Sequence, residues 1–220
     1  MLAIKECAID VEMKCNETMR AFNEQCHDTG HLDPRDGFFG GRTHPTRLYS
    51  PPSDKTKKCH KDIVSLYPSV LLKEYPVAHP RVHHYDWREG AVNWTRPEDV
   101  TLKGLIKCVV SPPKRLFLPV LPFRDDKRLL FPLCRTCARE SRTESAYGLK
   151  QCRHTPEQRE FVTTTTHFEL QEALRRGYVV TRVIETWDYE QMDDTIFAGY
   201  IKEFMKIKVS GRFVWVSGCM

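Results

Sequence analysis

No uninterrupted run of apolar residues in this 220-residue chain is longer than five residues. A helix that spans a bilayer needs about 20 predominantly apolar residues, so the sequence predicts no membrane-spanning helix. The opening string MLAIKECAIDVEMK places acids and lysines where a secretory signal would need an apolar run. We therefore expect an intracellular protein without a membrane partner, either nuclear or cytoplasmic.

The chain also lacks a strong charge excess outside two short blocks. Net charge is +5, but residues 101–160 hold 13 Lys and Arg against 6 Asp and Glu, a surplus of 7, while the rest of the chain holds 21 against 23. A second basic block runs from residue 42 to residue 61. Two basic blocks in a near-neutral chain indicate contact with a polyanion, and a solvated basic face is the alternative.

Helix-like and strand-like segments alternate along the chain without a fixed repeat, which predicts an α+β fold. Apolar spacing predicts a helix within residues 1–30, and glycines and prolines predict a loop-rich stretch at residues 31–60. A short buried strand is predicted at residues 61–67, and it turns at Pro68 into a helix. Further strands are predicted at residues 105–110, 116–121 and 178–185. Prolines confine the strands at 105–110 and 116–121 to edge or end positions. One helix is predicted to begin at its cap Thr166 and to end at Gly177, with an apolar stripe of Phe168, Ala173 and Leu174. A second helix, capped by Asp193 or Asp194, is predicted to carry residues 197–208.

Nine cysteines are many, and their number is odd. Four soft or borderline ligands fall in two close pairs, Cys134-x-x-Cys137 and Cys152-x-His154, and such pairs can complete a tetrahedral zinc site. His167 or Cys108 can substitute in this set, and unrelated thiols in a loop are the alternative. Because no open position or general base is evident, the spacing predicts a structural zinc ion.

One acid stands at the end of an apolar segment, in the string DIVSLYPS at residues 62–69. A carboxylate beside a sharp turn can hold Mg²⁺ while neighbouring backbone N–H groups receive phosphate oxygens. The alternative is that Asp62 caps the helix that starts near Pro68.

This string resembles motif A of the family B DNA polymerases, D-x-x-S-L-Y-P-S, over eight contiguous positions. The resemblance implies that Asp62 is one of two aspartates that bind the catalytic Mg²⁺ pair. It also implies that the backbone at Ser65 and Leu66 meets the triphosphate of the incoming dNTP, and that Tyr67 excludes a ribose 2′-hydroxyl.

Two further stretches extend the resemblance. Residues 36–43, DGFFGGRT, look like the Y-x-G-G segment of protein-primed members, which implies DNA contacts at Phe38, Gly40, Gly41 and Arg42. Residues 166–208 are similar to the stretch before the fingers helix. The order F-F-G-G-R-T, S-L-Y-P, L-P-V-L-P, L-C-x-T-C and K-I-K is similar to polymerases of Polinton (Maverick) transposons, in which residues 103–150 would contact the terminal protein and the template.

Two signatures of a working polymerase of this family do not occur in the sequence: a Y-x-D-T-D-like strand with the second aspartate, and a fingers helix resembling K-x-x-x-N-S-x-Y-G. We therefore expect a fragment of a protein-primed DNA polymerase, a partial palm without exonuclease domain, fingers or second half of the palm, inactive alone. The rival function is a non-catalytic, zinc-stabilised nucleic-acid-binding module, and a decaying gene product is a third. The expected segments are an unmatched helical start (1–35), the glycine loop with motif A (36–75), a basic insertion with the Cys/His knuckle (76–160), a helix–strand–helix before the fingers (161–208) and a divergent tail (209–220).

Overall fold

The computed structural model describes residues 15–16, 30–41, 49, 51, 59, 61–86, 88–125, 128–140 and 152–209. The chain divides into two compact units, residues 1–31 and 32–220. In the first unit only residues 15–16 and 30–31 are described, so most of the helix predicted there lies outside the described residues, as do Arg42 and the tail from residue 210. No helix in the described part is long and apolar enough to cross a membrane.

The second unit mixes short helices with antiparallel strands, which confirms the predicted α+β class. Its described elements in chain order are a 3-10 helix Pro34–Gly37, α1 Leu66–Leu71, β1 Tyr75–Val77, β2 Arg81–His84, β3 Ala91–Trp94, a 3-10 helix Pro97–Asp99, β4 Gly104–Ser111, β5 Phe123–Asp125, β6 Arg128–Leu130, α2 Arg135–Glu140, α3 Pro156–Arg159, β7 Phe161–Thr166, α4 His167–Arg175, β8 Val179–Asp188, β9 Gln191–Asp193 and α5 Ala198–Val209.

Five of these strands form one sheet around β8. The order is β2-β8-β4-β7, β3 also pairs with β8, and every pairing is antiparallel. Two further pairs, β1 with β9 and β5 with β6, form separate two-stranded ribbons. The sheet joins strands from residues 76–160 to strands from residues 161–208, so these two predicted segments share one layer.

Strand β4 lies in the interior of the sheet, between β8 and β7. Its side chains at Ile106, Cys108 and Val110 are fully buried in the core. The strand predicted at residues 105–110 is confirmed, and of its two expected positions, edge or end, the edge is excluded because β4 has a neighbour on each side. The prolines at 112 and 113 follow the end of the strand at Ser111, so β4 keeps its backbone donors for both neighbours.

Helix α4 begins and ends where the sequence predicts. Thr166 is its N-cap and forms a reciprocal capping box with Glu169, and Gly177 follows its end with φ +85°. Ala173 and Leu174 are buried, but Phe168 is 64% exposed. The predicted buried stripe is therefore wrong at Phe168.

Helix α5 begins at Ala198, four or five residues after its predicted cap. The Asp193 carboxylate accepts hydrogen bonds from the N–H and the hydroxyl of Thr195, at 2.7 and 2.6 Å. Asp193 therefore closes a turn ahead of the helix, and its predicted role as the helix cap is wrong, as is that of Asp194. Ile201 is buried, whereas Tyr200 and Phe204 are exposed.

The strand predicted just after residue 60 is absent from the structure. Residues 61–63 are irregular and residues 64–65 form a turn, after which α1 begins at Leu66, before Pro68. No described strand pairs with this segment, and Ile63 and Val64 are 67% and 80% exposed. The apolar run alone indicated a strand, but a strand requires a hydrogen-bonding partner.

The strand predicted at residues 116–121 is also absent, because its backbone is used otherwise. The N–H of Val120 donates to the Tyr178 hydroxyl at 3.2 Å, and Pro119 has no N–H to offer a ladder. Strands β1, β2 and β3 lie within residues 73–100, where the sequence pattern predicts no element.

Gly104 is a position where the β4–β8 pairing depends on the absence of a side chain. A Cβ at this position would overlap the carbonyl oxygen of Trp187 on β8. We expect Gly104→Ala to lower the free energy of unfolding by about 1–3 kcal/mol, as overpacking does. Urea denaturation followed by circular dichroism measures the change.

Gly199 in helix α5 provides the control, since a Cβ there meets nothing within 4 Å. Gly199→Ala should leave stability unchanged or raise it by up to about 1 kcal/mol. Equal stability of the Gly104→Ala variant and the unmodified chain would contradict the close approach of β4 and β8.

Candidate nucleotide and metal sites

The segment around Asp62 forms a tight turn that leads into a short exposed helix. Asp62 itself is exposed, and Ser65 adopts a left-handed backbone conformation, φ 56° and ψ 34°, immediately before α1. The N–H of Leu66 donates to the Ile63 carbonyl at 3.3 Å, and the N–H of Ser69 donates to the Ser65 carbonyl at 3.0 Å. Left-handed conformations are rare for residues other than glycine and cluster at functional sites.

The side chains of this segment point largely to solvent. Tyr67 is 82% exposed. The exposed apolar side chains beside it are Ile63, Val64, Leu66, Val70 and Leu72. The turn therefore presents one carboxylate and one phenol within an apolar surface, and we call residues 61–72 the Asp62 segment.

The Asp62 segment contacts the residues that directly precede helix α5. The Tyr75 hydroxyl donates to the Val70 carbonyl at 3.3 Å, and the Tyr75 ring meets Phe197 edge to face with centroids 5.2 Å apart. Strand β1 pairs in register with β9. Two stretches more than 100 residues apart in sequence, those that resemble motif A and the region before the fingers, are thus in contact.

The glycine-rich loop at residues 36–41 follows a 3-10 helix that packs on the sheet. A Cβ at Gly37 would lie 3.0 Å from Leu105 Cδ2, so Gly37 fits where a larger residue would crowd the sheet. Gly40 and Gly41 have open space around them, and Phe38 is 64% exposed. No hydrogen bond, ion pair or ring contact between described residues joins this loop to the Asp62 segment.

Glu185 fixes the chain that enters this loop, a role that the sequence pattern does not predict. It is only 3% exposed. Its Oε2 accepts from the N–H of Leu32 at 2.7 Å and lies 3.3 Å from His84 Nδ1, and its Oε1 accepts from Trp187 Nε1–H at 2.8 Å. The signal in the sequence was an acid within a β-branched strand, where burial is costly unless hydrogen bonds satisfy the charge.

The four predicted zinc ligands are brought together by α2 and the chain before α3. Their ligand atoms all lie within 4.8 Å of one another. His154 Nδ1 is 3.4, 3.3 and 3.6 Å from the sulfurs of Cys134, Cys137 and Cys152, respectively. Three soft sulfurs converging on one imidazole nitrogen are the donor set that tetrahedral zinc prefers.

Groups around the cluster orient its members. The N–H of Cys137 donates to Cys134 Sγ at 3.4 Å, and Glu140 Oε1 lies 3.4 Å from His154 Nε2, the ring nitrogen that faces away from the sulfurs. A carboxylate on the second nitrogen of a ligating histidine fixes its ring orientation. The cluster therefore has both a ligand shell and a partner behind it.

The thiols of the cluster differ in acidity. Burial, together with hydrogen bonds that the Cys137 thiol donates to Cys152 and Cys134, raises the pKa of Cys137 to about 12. For Cys152, partial burial opposes ionisation, but hydrogen bonds from His154 and from the other two thiols outweigh it and lower its pKa to about 7. Cys152 therefore becomes a thiolate more readily than Cys137 near neutral pH.

The two alternative ligands lie elsewhere, Cys108 in strand β4 and His167 at the start of helix α4. Cys108 is fully buried in β4, and burial raises its pKa to about 12. His167 Nδ1 accepts the N–H of Gly104 at 3.0 Å, and burial lowers its pKa. Neither residue belongs to the cluster of Cys134, Cys137, Cys152 and His154.

Comparison with known proteins gives one result. The family model described as DNA polymerase type B, organellar and viral, matches residues 32–211. No curated protein and no solved structure matches the chain.

The role of Glu185 can be tested by removing its charge while keeping its shape. In Glu185→Gln one oxygen becomes an NH₂ group, which must face a donor where the carboxylate accepted a hydrogen bond. We expect the free energy of unfolding to fall by about 1–3 kcal/mol, measured by urea denaturation.

Glu190→Gln is the matched control, since Glu190 forms an exposed ion pair with Arg81. Exposed ion pairs contribute about 0–1 kcal/mol, so this variant should change little. Equal effects of the two substitutions would show that Glu185 does not hold the entry of the 32–41 chain.

Proposed function

The chain belongs to the organellar and viral type B DNA polymerases, and from that premise we propose that the Asp62 segment is motif A of the palm. The family activity is DNA-directed DNA synthesis, with DNA and dNTPs as partners. In this proposal Asp62 binds catalytic Mg²⁺ and belongs to a two-metal site. The exposed carboxylate beside the left-handed turn at Ser65 is the observation that carries the assignment.

The chemistry requires a hard oxygen ligand at this position. Mg²⁺ prefers carboxylate and phosphate oxygens, and the exposed Asp62 carboxylate fits that preference. When bound, the metal pair supplies activation of the primer 3′-oxygen and stabilisation of the leaving pyrophosphate. The contribution of this chain is to hold one carboxylate at a fixed place in the turn.

The nucleotide would be bound by Ser65, Leu66 and Tyr67. The Leu66 N–H already closes the turn on the Ile63 carbonyl, so Leu66 supports the shape of the loop in this proposal. The Tyr67 ring is free of packing and is available to lie against the sugar, where it would exclude a ribose 2′-hydroxyl. The open backbone at Gly40 and Gly41, with Phe38 and Arg42, would contact a DNA strand.

A single aspartate cannot complete the site. One carboxylate does not hold two Mg²⁺ ions a few ångströms apart, because each ion needs its own set of oxygen ligands. We infer that these 220 residues alone extend no primer and form part of a protein-primed, transposon-type enzyme in which a terminal protein primes synthesis. The exposed apolar side chains of the Asp62 segment then provide the surface on which the remainder of the palm packs.

The Cys/His cluster is proposed to hold one structural Zn²⁺. Cys134, Cys137, Cys152 and His154 would be the ligands, with Glu140 behind the imidazole. All four positions of a tetrahedral site are filled by protein atoms, so the metal would join α2 to the chain before α3 without a catalytic role.

A non-catalytic nucleic-acid-binding module is the second candidate function. It is favoured by the basic surplus of residues 101–160 together with the assembled Cys/His cluster, neither of which depends on Asp62. Salt-dependent DNA binding without nucleotide incorporation in any context would favour this second function over the first.

Asp62→Ala tests the proposed motif A. The measurement is primer extension by a fusion that adds a Y-x-D-T-D strand and a fingers helix from a protein-primed type B polymerase. Metal binding contributes several kcal/mol to the transition state, so incorporation should fall by roughly 10³-fold or more. Electron paramagnetic resonance of Mn²⁺ with dATP gives a second readout on the 220-residue chain itself, where Asp62→Ala should weaken binding.

The control for this substitution is Asp194→Ala, another exposed aspartate. It should leave both readouts unchanged. Incorporation and Mn²⁺ binding that survive in Asp62→Ala would remove Asp62 from the mechanism.

Metal analysis tests the zinc site directly. Purified protein should contain about one zinc per chain, and Cys137→Ser should lose it and lower the thermal unfolding midpoint. Cys59→Ser, which alters an exposed cysteine outside the cluster, should keep both. A folded protein without zinc would overturn the proposed site.

A further inference from the structure

The loop at residues 112–122 crosses the surface between β4 and β5, and its two ends are held by buried side chains. Arg159 is only 5% exposed and donates from Nη2 to the Pro113 carbonyl at 2.6 Å. At the other end, the Val120 N–H donates to the hydroxyl of Tyr178, which is fully buried. The loop is therefore held at both ends by the core.

The middle of this loop presents an aromatic ring beside two cations. Phe117 is 88% exposed, the highest exposure of any large hydrophobic side chain in the described residues. Lys114 and Arg115 precede it, both are exposed, and neither pairs with a carboxylate among the described residues. We call residues 114–118 the Phe117 tip.

Arg159 also connects the tip to the Cys/His cluster. Its guanidinium donates to the carbonyl of Leu133, the residue before Cys134, from Nε at 3.3 Å and from Nη2 at 3.1 Å. One buried arginine thus fixes the start of the Phe117 loop and the start of the cluster to each other.

We propose that the Phe117 tip binds single-stranded DNA, with the Phe117 ring stacked on an unpaired base and Lys114 and Arg115 on the flanking phosphates. Proteins that bind single strands combine cations that follow the backbone with aromatic rings that stack on bases. The proposal extends the proposed function, since it takes DNA as the ligand, but it uses no residue of the Asp62 segment.

Charge and anchoring favour a single strand over other ligands. Duplex DNA offers its phosphates, but a ring reaches a base face there only by unstacking a base step, which costs stacking energy that an unpaired base does not require. A protein partner would bury Phe117 against apolar groups, whereas Lys114 and Arg115 favour a polyanion. Because the loop is already anchored at both ends, little conformational entropy is lost on binding.

The measurement is fluorescence anisotropy of a labelled oligo-dT strand titrated with the full chain, without Mg²⁺ or dNTP. Loss of one stacked base in Phe117→Ala should weaken the Kd roughly five- to 150-fold. Phe117→Trp keeps a stacking ring and should keep the affinity. The double substitution Lys114→Ala with Arg115→Ala should reduce the slope of log K against log salt by roughly 1.4, since each phosphate contact on a single strand contributes about 0.7.

Phe168→Ala is the matched control, because Phe168 is also exposed, at 64%, and lies on α4. It should bind oligo-dT like the unmodified chain. Unchanged affinity in Phe117→Ala, or an equal loss in Phe168→Ala, would overturn the proposal. Equal affinities for oligo-dT and a duplex would also overturn it. The same holds if Phe117 is required for association with a protein while the oligonucleotide does not bind.

The outcome is independent of the polymerase assignment. The assay contains neither metal nor nucleotide, so a failed Asp62 experiment leaves the Phe117 result standing. A flat Phe117 series likewise leaves Asp62 in place.

Discussion

The antiparallel pairing of β8 with β2, β3 and β4 is the constraint on which the rest of the structure depends. It brings strands from the first half of the second unit into one layer with the strand that follows α4. Gly104 permits this approach, because its missing side chain leaves room for the Trp187 carbonyl. Each candidate site lies on a segment that leads into or out of this sheet. The sheet therefore sets the position of the site, although the side chains of the site lie outside the sheet.

Two buried charged side chains hold loops in place relative to the sheet through hydrogen bonds. Glu185 holds the Leu32 N–H, and Arg159 holds the carbonyls of Pro113 and Leu133. A buried charge is costly unless hydrogen bonds satisfy it. Arg159 satisfies its charge with the backbone carbonyls of Pro113 and Leu133, and Glu185 contacts the Leu32 N–H, the Trp187 indole N–H and His84. The interactions that make burial possible are therefore the same ones that hold the glycine loop and the Phe117 tip in place.

The sequence predicted what depends on local signals and missed what depends on partners. The Thr166 cap, Gly177 and the β-branched run of β8 are local, and all three are confirmed. The spacing of the Cys/His set also predicted which four ligand atoms converge. A strand at residues 61–67 required a neighbour that periodicity cannot supply. Likewise Glu185 and Arg159 could not be assigned roles, because their partners lie 153 and 46 residues away in the chain.

The distribution of exposed apolar groups separates the two activities proposed for the chain. At the Asp62 segment a lone carboxylate stands among exposed Ile63, Val64 and Tyr67. In that setting water would compete for the Mg²⁺ proposed at Asp62, and the high dielectric weakens every charge interaction. Covering the same apolar groups with further polypeptide would exclude that water and lower the dielectric, so in this proposal folding of the palm would be coupled to metal affinity. The Phe117 tip needs no such cover, since stacking uses a ring that already faces solvent. In this proposal DNA binding can therefore precede assembly of the catalytic site, and the bound strand would be present when the site is completed.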